Sequence, residues 1–258
     1  MQHGGKIFLV GAGPGDPELL TLKAARLLAA ADVVVYDRLV SAAVLDLVPP
    51  GAARIYAGKA AASHALPQDE INALLVRLAR SGRSVVRLKG GDPFIFGRGS
   101  EEAAYLMRHG VAVEVVPGVT AASGCAAEFG IPLTHRGLAT GVRFVTGHWR
   151  ENQTLDFDWQ SLADPETTLV IYMGLASLRE FCTHLIAAGL SPATPAAAIA
   201  SGTTPRRQLV RTRLDSLTDS VAAADLQAPV LFVIGQVARL ARDPADDTSA
   251  LLALAQHA

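Results

Sequence analysis

Short apolar runs alternate with stretches of helical spacing through the first half of this chain, and that alternation restricts the fold more than any other feature. Runs at Ile7–Val10, Asp32–Tyr36, Arg54–Ala57, Ser84–Leu88 and Val111–Val116 read as strands. Between them, Leu19 to Ala30, Pro67 to Arg80 and Ser100 to His109 read as helices; Ile71, Leu74, Leu75 and Leu78 share one face of the second. A helix between two strands carries the chain back to the edge it started from, so the strands end up parallel in one sheet. Pro117-Gly118 punctuates this pattern and is the candidate hinge. A helix at Thr120 to Phe129 follows. Strands are then expected at Val142–Thr146, Thr168–Met173, Ala196–Ala200, Gln208–Arg213 and Val230–Ile234, with helices at Leu175–Ala188 and Leu214–Ala223. The polar stretch from Arg150 to Pro165 reads as a loop with a short helix. The expectation is an α/β protein of two α/β domains, 5–117 and 118–241, followed by a polar linker and a short C-terminal helix over 242–258.

The densest chemistry lies in Val86-Arg-Leu-Lys-Gly-Gly-Asp-Pro-Phe-Ile-Phe-Gly-Arg-Gly-Ser-Glu-Glu102. A buried strand breaks at Gly90-Gly91, where the absence of Cβ atoms lets backbone approach a ligand. Asp92, Arg98 and Glu101 follow, and Ser100 with Glu101 and Glu102 reads as an N-cap and first helical turn. A strand running into such a loop and then a helix is where open α/β sheets bind ligands.

Half of the 258 residues are apolar, enough for a sizeable core, and the formal net charge of −1 argues against a general nucleic-acid binder. Only Lys6, Lys23, Lys59 and Lys89 are lysines, so 19 of the 23 basic residues are Arg. That bias suits bidentate grip of carboxylates, and equally a GC-rich coding sequence. Cys125 and Cys182 are the two cysteines, without metal-ligand spacing, and the histidines form no H-E-x-x-H pattern. Reduced thiols, no metal and a cytoplasmic location are expected. Met1-Gln-His-Gly-Gly-Lys6 carries no apolar signal region, and no apolar run approaches the ~18 residues of a spanning helix, so no membrane partner is expected.

Gly11-x-Gly13 after the first strand, with Asp37 after the second, has the outline of a dinucleotide fingerprint. It fails in detail. Asp16 stands where the third glycine should admit a pyrophosphate, and Pro14 and Pro17 remove two amide donors. A nicotinamide-dependent oxidoreductase is therefore the weaker alternative.

Five ordered segments point elsewhere: Gly11-Ala-Gly-Pro-Gly-Asp-Pro17, Val33-Val-Val-Tyr-Asp-Arg-Leu-Val40, Val86 to Gly99, Val116-Pro-Gly-Val-Thr-Ala-Ala-Ser-Gly124 and Gly130-Ile-Pro-Leu-Thr-His-Arg136. Together they resemble the tetrapyrrole methylases, from about Lys6 to Leu240. The resemblance implies two α/β domains with S-adenosylmethionine bound between them, a homodimer, and a tetrapyrrole substrate. Its nearest form implies two methyl transfers to uroporphyrinogen III, at C-2 and C-7, giving precorrin-2 for sirohaem, cobalamin or haem d1. A methylase acting on a later precorrin is the alternative within the family. Carried over residue by residue, Pro14, Gly90, Gly91, Asp92, Ile95, Thr120 and Ala121 line the cofactor from the first domain. Met173, in Tyr-Met-Gly, and Gly202, in Ser-Gly-Thr, approach it from the second. Asp37 matches a proposed proton acceptor and Lys59 a proposed proton donor.

The residue types suit this chemistry. An electron-rich pyrrole carbon attacks the methyl of a sulfonium, so holding the two in contact without water supplies most of the catalysis. A base must take the proton that the methylated ring loses, and Asp37 or Glu101 can serve. Arg38, Arg98 and Arg136 are candidate forks for the carboxylates of the substrate. His135 and His148 read as hydrogen-bonded core or rim residues rather than catalysts.

Overall fold

Val33-Val-Val-Tyr36 and Val85-Val-Arg-Leu-Lys89 form adjacent strands because branched and apolar side chains pack on both sides of a covered pleat. They belong to a computed structural model that describes residues 5–58, 67–148 and 156–242. The chain divides into two compact units, Met1–Gly124 and Cys125–Ala258.

The first unit holds β1 (Lys6–Gly11), β2 (Val33–Tyr36), β3 (Ala53–Tyr56), β4 (Val85–Lys89) and β5 (Ala112–Val116), all parallel, in the order β3-β2-β4-β1-β5. Alternate residues of each strand serve opposite faces. Val10, Val34, Val86 and Leu88 pack with Ala24 and Leu28 of α1 (Leu22–Ala29) and Val44 of α2 (Ala42–Leu45). Ile7, Leu9, Val33, Val35 and Val85 pack with Leu75 of α3 (Gln68–Arg80) and Leu106 of α4 (Gly99–Arg108).

Caps explain where these helices start. Pro17–Leu19 is a separate 3-10 turn capped by Asp16, and α1 begins only at Leu22, because Thr21 Oγ1 accepts from the Ala24 amide at 3.1 Å. The helix expected from Leu19 is thus two elements. Ser41 caps α2, a turn the sequence pattern did not announce, by accepting from the Val44 amide at 3.2 Å. The expected cap at Ser100 is corrected: Arg98, in the left-handed region at φ 58°, is the N-cap of α4, and Ser100 lies inside the helix. The fifth helix, α5 (Ala121–Glu128), spans the division between the units.

The second unit holds β6 (Gly141–Thr146), α6 (Trp159–Leu162), β7 (Thr167–Tyr172), α7 (Leu178–Ala187), β8 (Pro195–Ala200), β9 (Gln208–Arg213), α8 (Leu217–Ala223) and β10 (Val230–Ile234). Its sheet order is β6-β7-β10-β8-β9, and only β6 and β7 pair in parallel. The expected parallel alternation therefore stops at the first unit. No helix separates β8 from β9, and so short a connection can only make an antiparallel pair. One core binds this unit together, with Phe181 and Leu185 of α7 and Leu217 of α8 against Ile171 and Phe232. The short C-terminal helix expected within 242–258 lies outside the described residues.

Candidate functional site

β1 and β4 are neighbours whose following connections leave in opposite directions, to β2 on one side and to β5 on the other. Such a switch point opens a crevice at the C-terminal edge of a parallel sheet. Glycines fill the place. Gly13 and Gly91 exchange amide hydrogen bonds, at 3.2 Å from Gly13 N to Gly91 O and 2.7 Å in return. Gly91 takes φ +66°, a conformation favouring glycine. A Cβ on Gly11 would stand 2.5 Å from the Gly118 amide nitrogen and 2.6 Å from Gly91 O. One on Gly90 would meet Leu39 Cβ at 2.6 Å. The loops after β1, β2, β4 and β5 thus meet backbone to backbone.

Asp92 locks two of these loops. Its Oδ1 accepts from the Phe94 amide at 2.8 Å and its Oδ2 from the Gly118 amide at 3.0 Å. Thr120 Cα and the Ala121 amide nitrogen come within about 4 Å of the space a Gly91 side chain would fill, so the start of α5 borders the same cradle. Pro14 lies against Gly124, where a Cβ would meet Pro14 Cγ at 2.5 Å. Ile95 follows Asp92 in the loop, its amide donating to Asp92 O at 3.3 Å. Pro14, Gly90, Gly91, Asp92, Ile95, Thr120 and Ala121 therefore all belong to one edge of the first sheet. Asp16 instead accepts from the Glu18 amide at 2.8 Å, a helix cap rather than a nucleotide contact.

Asp37 stands just past the end of β2 with its side chain about one-quarter exposed. Its Oδ1 accepts from the Leu39 amide at 3.3 Å and its Oδ2 lies 3.5 Å from Arg87 Nη2. Arg38 is exposed beside it. Lys59 lies outside the described residues. Arg98 and Glu101 form a bidentate pair on the first turn of α4, with Nη2 to Oε2 at 2.6 Å, and this bond raises the Arg98 pKa. Both side chains of the pair are exposed.

The sequence pattern placed Glu102 in a first helical turn and gave no role to Arg87 or Lys89. Glu102 is wholly buried and bonded to Arg87 Nε at 3.2 Å and to Lys89 Nζ at 3.0 Å. Burial pushes the Glu102 pKa up, but Arg87 and Lys89 outweigh it and hold the carboxyl below its ordinary value. Burial, reinforced by Arg87, lowers the Lys89 pKa. The available signal was two charges at alternate positions of an otherwise apolar strand.

In the second unit, β6, β7 and β8 run in one direction, so their C-terminal ends share one edge of the sheet. Met173 follows β7 at φ 54°, outside the strand expected to include it, and is half-exposed. Ser201 and Thr203, at φ 48° and 60°, flank the buried Gly202 after β8. Strained residues of this kind gather at ligand sites. A Cβ on Gly202 would meet Cys125 Sγ at 2.5 Å, and Glu128 Oε2 accepts from the Thr203 amide at 2.6 Å. Burial pushes the Cys125 thiol up to about 12, so it packs as a neutral group. The Thr203 hydroxyl is buried without a partner among the described residues. Arg136 is exposed in a turn where His135 Nδ1 lies 2.8 Å from Arg136 O, and exposed His148 donates its amide to Thr146 Oγ1 at 3.2 Å. Among the described residues no cluster of three or more His, Cys, Asp or Glu could hold a metal.

Comparison with known proteins gives these edges a context. The family model for Tetrapyrrole (Corrin/Porphyrin) Methylases matches residues 6–218. The siroheme synthase of Stutzerimonas stutzeri is 55% identical over 236 residues, covering 92% of this chain and 50% of that protein. The chain spans about half the length of the curated relatives it matches. A crystal structure of uroporphyrin III C-methyl transferase from Thermus thermophilus is similar at 45% identity and a TM-score of 0.78, covering 92% of this chain and 100% of that one. A second structure from that organism, complexed with S-adenyl homocysteine, is similar at 43% identity and a TM-score of 0.78, covering 92% and 94%. The glycine cradle at the switch point and a family match over most of the length together make this chain a member of the tetrapyrrole methylases.

Proposed function

We propose that this chain transfers two methyl groups from S-adenosylmethionine to uroporphyrinogen III, at C-2 and C-7, and so forms precorrin-2 through precorrin-1. The observation that carries this reading is the glycine-built edge of the first sheet, joined to 45% identity over the whole of a solved uroporphyrin III C-methyl transferase. The residues fit such a methyl donor. At Gly91 an added side chain would find only Ala121 N at 3.8 Å and Thr120 Cα at 4.0 Å, so the main chain there can be approached closely by a nucleoside.

S-adenosylmethionine supplies an electrophilic methyl group, and the chain's own residues do the rest. Asp92 fixes the loops that set its position, through the Phe94 and Gly118 amides. Asp37 accepts the proton that the methylated ring must lose. Arg98, oriented by Glu101, presents a fork to a substrate carboxylate, with Arg38 and Arg136 as further forks. Lys59 returns a proton to the macrocycle. The protein works as a cytoplasmic homodimer with no nucleic-acid partner; both cysteines are free and buried, as a reducing compartment allows. No described helix is long and apolar enough to cross a membrane.

The test is anaerobic incubation with uroporphyrinogen III and S-adenosylmethionine, followed by mass spectrometry of the tetrapyrrole. Addition of two methyl masses is the expected result. No addition, with transfer to a later precorrin instead, overturns the choice of substrate.

A further inference from the structure

A polar layer lies on the face of β4 that carries the α3 and α4 core. Arg87 and Lys89 project from alternate positions of the strand, and Glu102 of α4 meets both. The three side chains are 3%, 5% and 0% exposed. Gln68 of α3 closes the layer, its Nε2 donating to Glu102 Oε1 at 3.1 Å and to Asn72 Oδ1 at 3.2 Å. Arg87 Nη1 also donates to Leu88 O at 3.2 Å and Val35 O at 3.4 Å, which fixes the plane of the guanidinium.

Taking ions out of water costs several kcal/mol each, and apolar residues of the same volume would serve stability equally well. Stability therefore gives no reason for this layer. Its charges give one. Two cations face a single buried carboxylate, which leaves one positive charge in excess. A second anion near Arg87 is Asp37, whose Oδ2 lies 3.5 Å from Arg87 Nη2. The guanidinium lies between the buried Glu102 and the partly exposed Asp37, a placement that suits its planar fork. Asp37 Oδ1 accepts from the Leu39 amide at 3.3 Å while Oδ2 faces Arg87 across an ion pair, so each oxygen has its own neighbour.

We infer that Arg87 is the positioning residue of Asp37, and that Glu102, braced by Lys89 and Gln68, holds Arg87 in place. The inference rests on the proton-acceptor role proposed above for Asp37. It assigns the buried layer to catalysis at a distance: the layer sets where the acceptor carboxylate stands and touches no substrate.

Arg87→Lys keeps the buried charge and removes the fork. Single-turnover methyl transfer to uroporphyrinogen III should fall about tenfold, with S-adenosylhomocysteine affinity unchanged within about twofold. In an Asp37→Asn background the same substitution should cost nothing further, because the effect passes through Asp37. Equal losses in the two backgrounds, or parallel loss of affinity, overturn the inference. Should Arg87→Lys not fold, Glu102→Gln keeps the side-chain shape, and its effect too should vanish in the Asp37→Asn background. An activity-independent reading comes from carboxylate carbon NMR of the labelled full chain, with the Asp37 signal identified by its loss in Asp37→Asn. That signal should move in Arg87→Lys and stay fixed in the surface control Lys23→Ala. An unmoved signal in Arg87→Lys refutes the link. If the unaltered protein transfers no methyl group, the proposed function fails, and the NMR result still decides whether Arg87 holds Asp37.

Discussion

Replacing Gly11 by Ala tests whether close backbone approach builds the ligand edge. Gly11 ends β1, and its added Cβ would stand 2.5 Å from Gly118 N and 2.6 Å from both Gly118 Cα and Gly91 O. All three are backbone atoms, so no rotamer change relieves the contact. The loops must part by roughly half an ångström, and overpacking of this kind costs about 1–3 kcal/mol. The same shift stretches the 3.0 Å bond from Gly118 N to Asp92 Oδ2, and a lost hydrogen bond to a carboxylate adds about 1.5–3 kcal/mol. Stability should fall by about 2.5–6 kcal/mol in total. Affinity for S-adenosylhomocysteine should fall at least tenfold, since a displaced Gly91 no longer presents its main chain correctly. Urea unfolding and titration calorimetry measure the two effects. Gly110→Ala is the comparison: Gly110 has φ +73° but nothing within 4 Å of its added Cβ, so it should lose stability and keep affinity. Full affinity in Gly11→Ala, with no more stability lost than in Gly110→Ala, would refute the reasoning.

Arg98→Ala should lower kcat about a hundredfold while leaving S-adenosylhomocysteine affinity intact, because the Arg98–Glu101 pair lies outside the glycine cradle; equal loss of both in kinetics and calorimetry would assign Arg98 to the cofactor loop. Glu114 is bonded to Lys23 and Lys6, which hold its carboxyl at about 2. A depressed carboxyl favours the fold above its unfolded value of about 4.3, and that contribution disappears as pH falls through about 2. Urea midpoints measured from about pH 5 downward should therefore drop less steeply in Glu114→Gln, and the difference should shrink in high salt. Leu106→Ala removes a wholly buried side chain from between α4 and the first sheet, and should cost about 2–5 kcal/mol in denaturant unfolding.

The first unit was legible because its signals are local. Val33-Val-Val-Tyr36 between helical segments permits little besides a buried strand, and Gly90-Gly91 after another marks a closely packed loop. The glycine segments and the position of Asp92 could be read from order and spacing, whereas the role expected of Asp37 came from the family resemblance. The second unit was less legible, since strand direction depends on which strands pair. β10 inserts between β7 and β8, and nothing in Val230-Leu-Phe-Val-Ile234 announces that place.

Short caps also escaped the pattern. Arg98 begins α4 because the Gly97–Gly99 loop folds against Pro93 O, whereas Ser100 has only the local chemistry of a cap. The choice between Glu101 and Glu102 shows the limit most clearly. Adjacent acids on one helix turn are equivalent in sequence, yet a step of about 100° around the axis separates them. Glu101 turns outward to Arg98, and Glu102 turns under β4 to Arg87 and Lys89. The amino-acid order alone determined the parallel first sheet, its glycine edge and the family. Tertiary structure decided which charges are buried together, because burial follows from what packs over a side chain, and residues distant along the chain provide that cover.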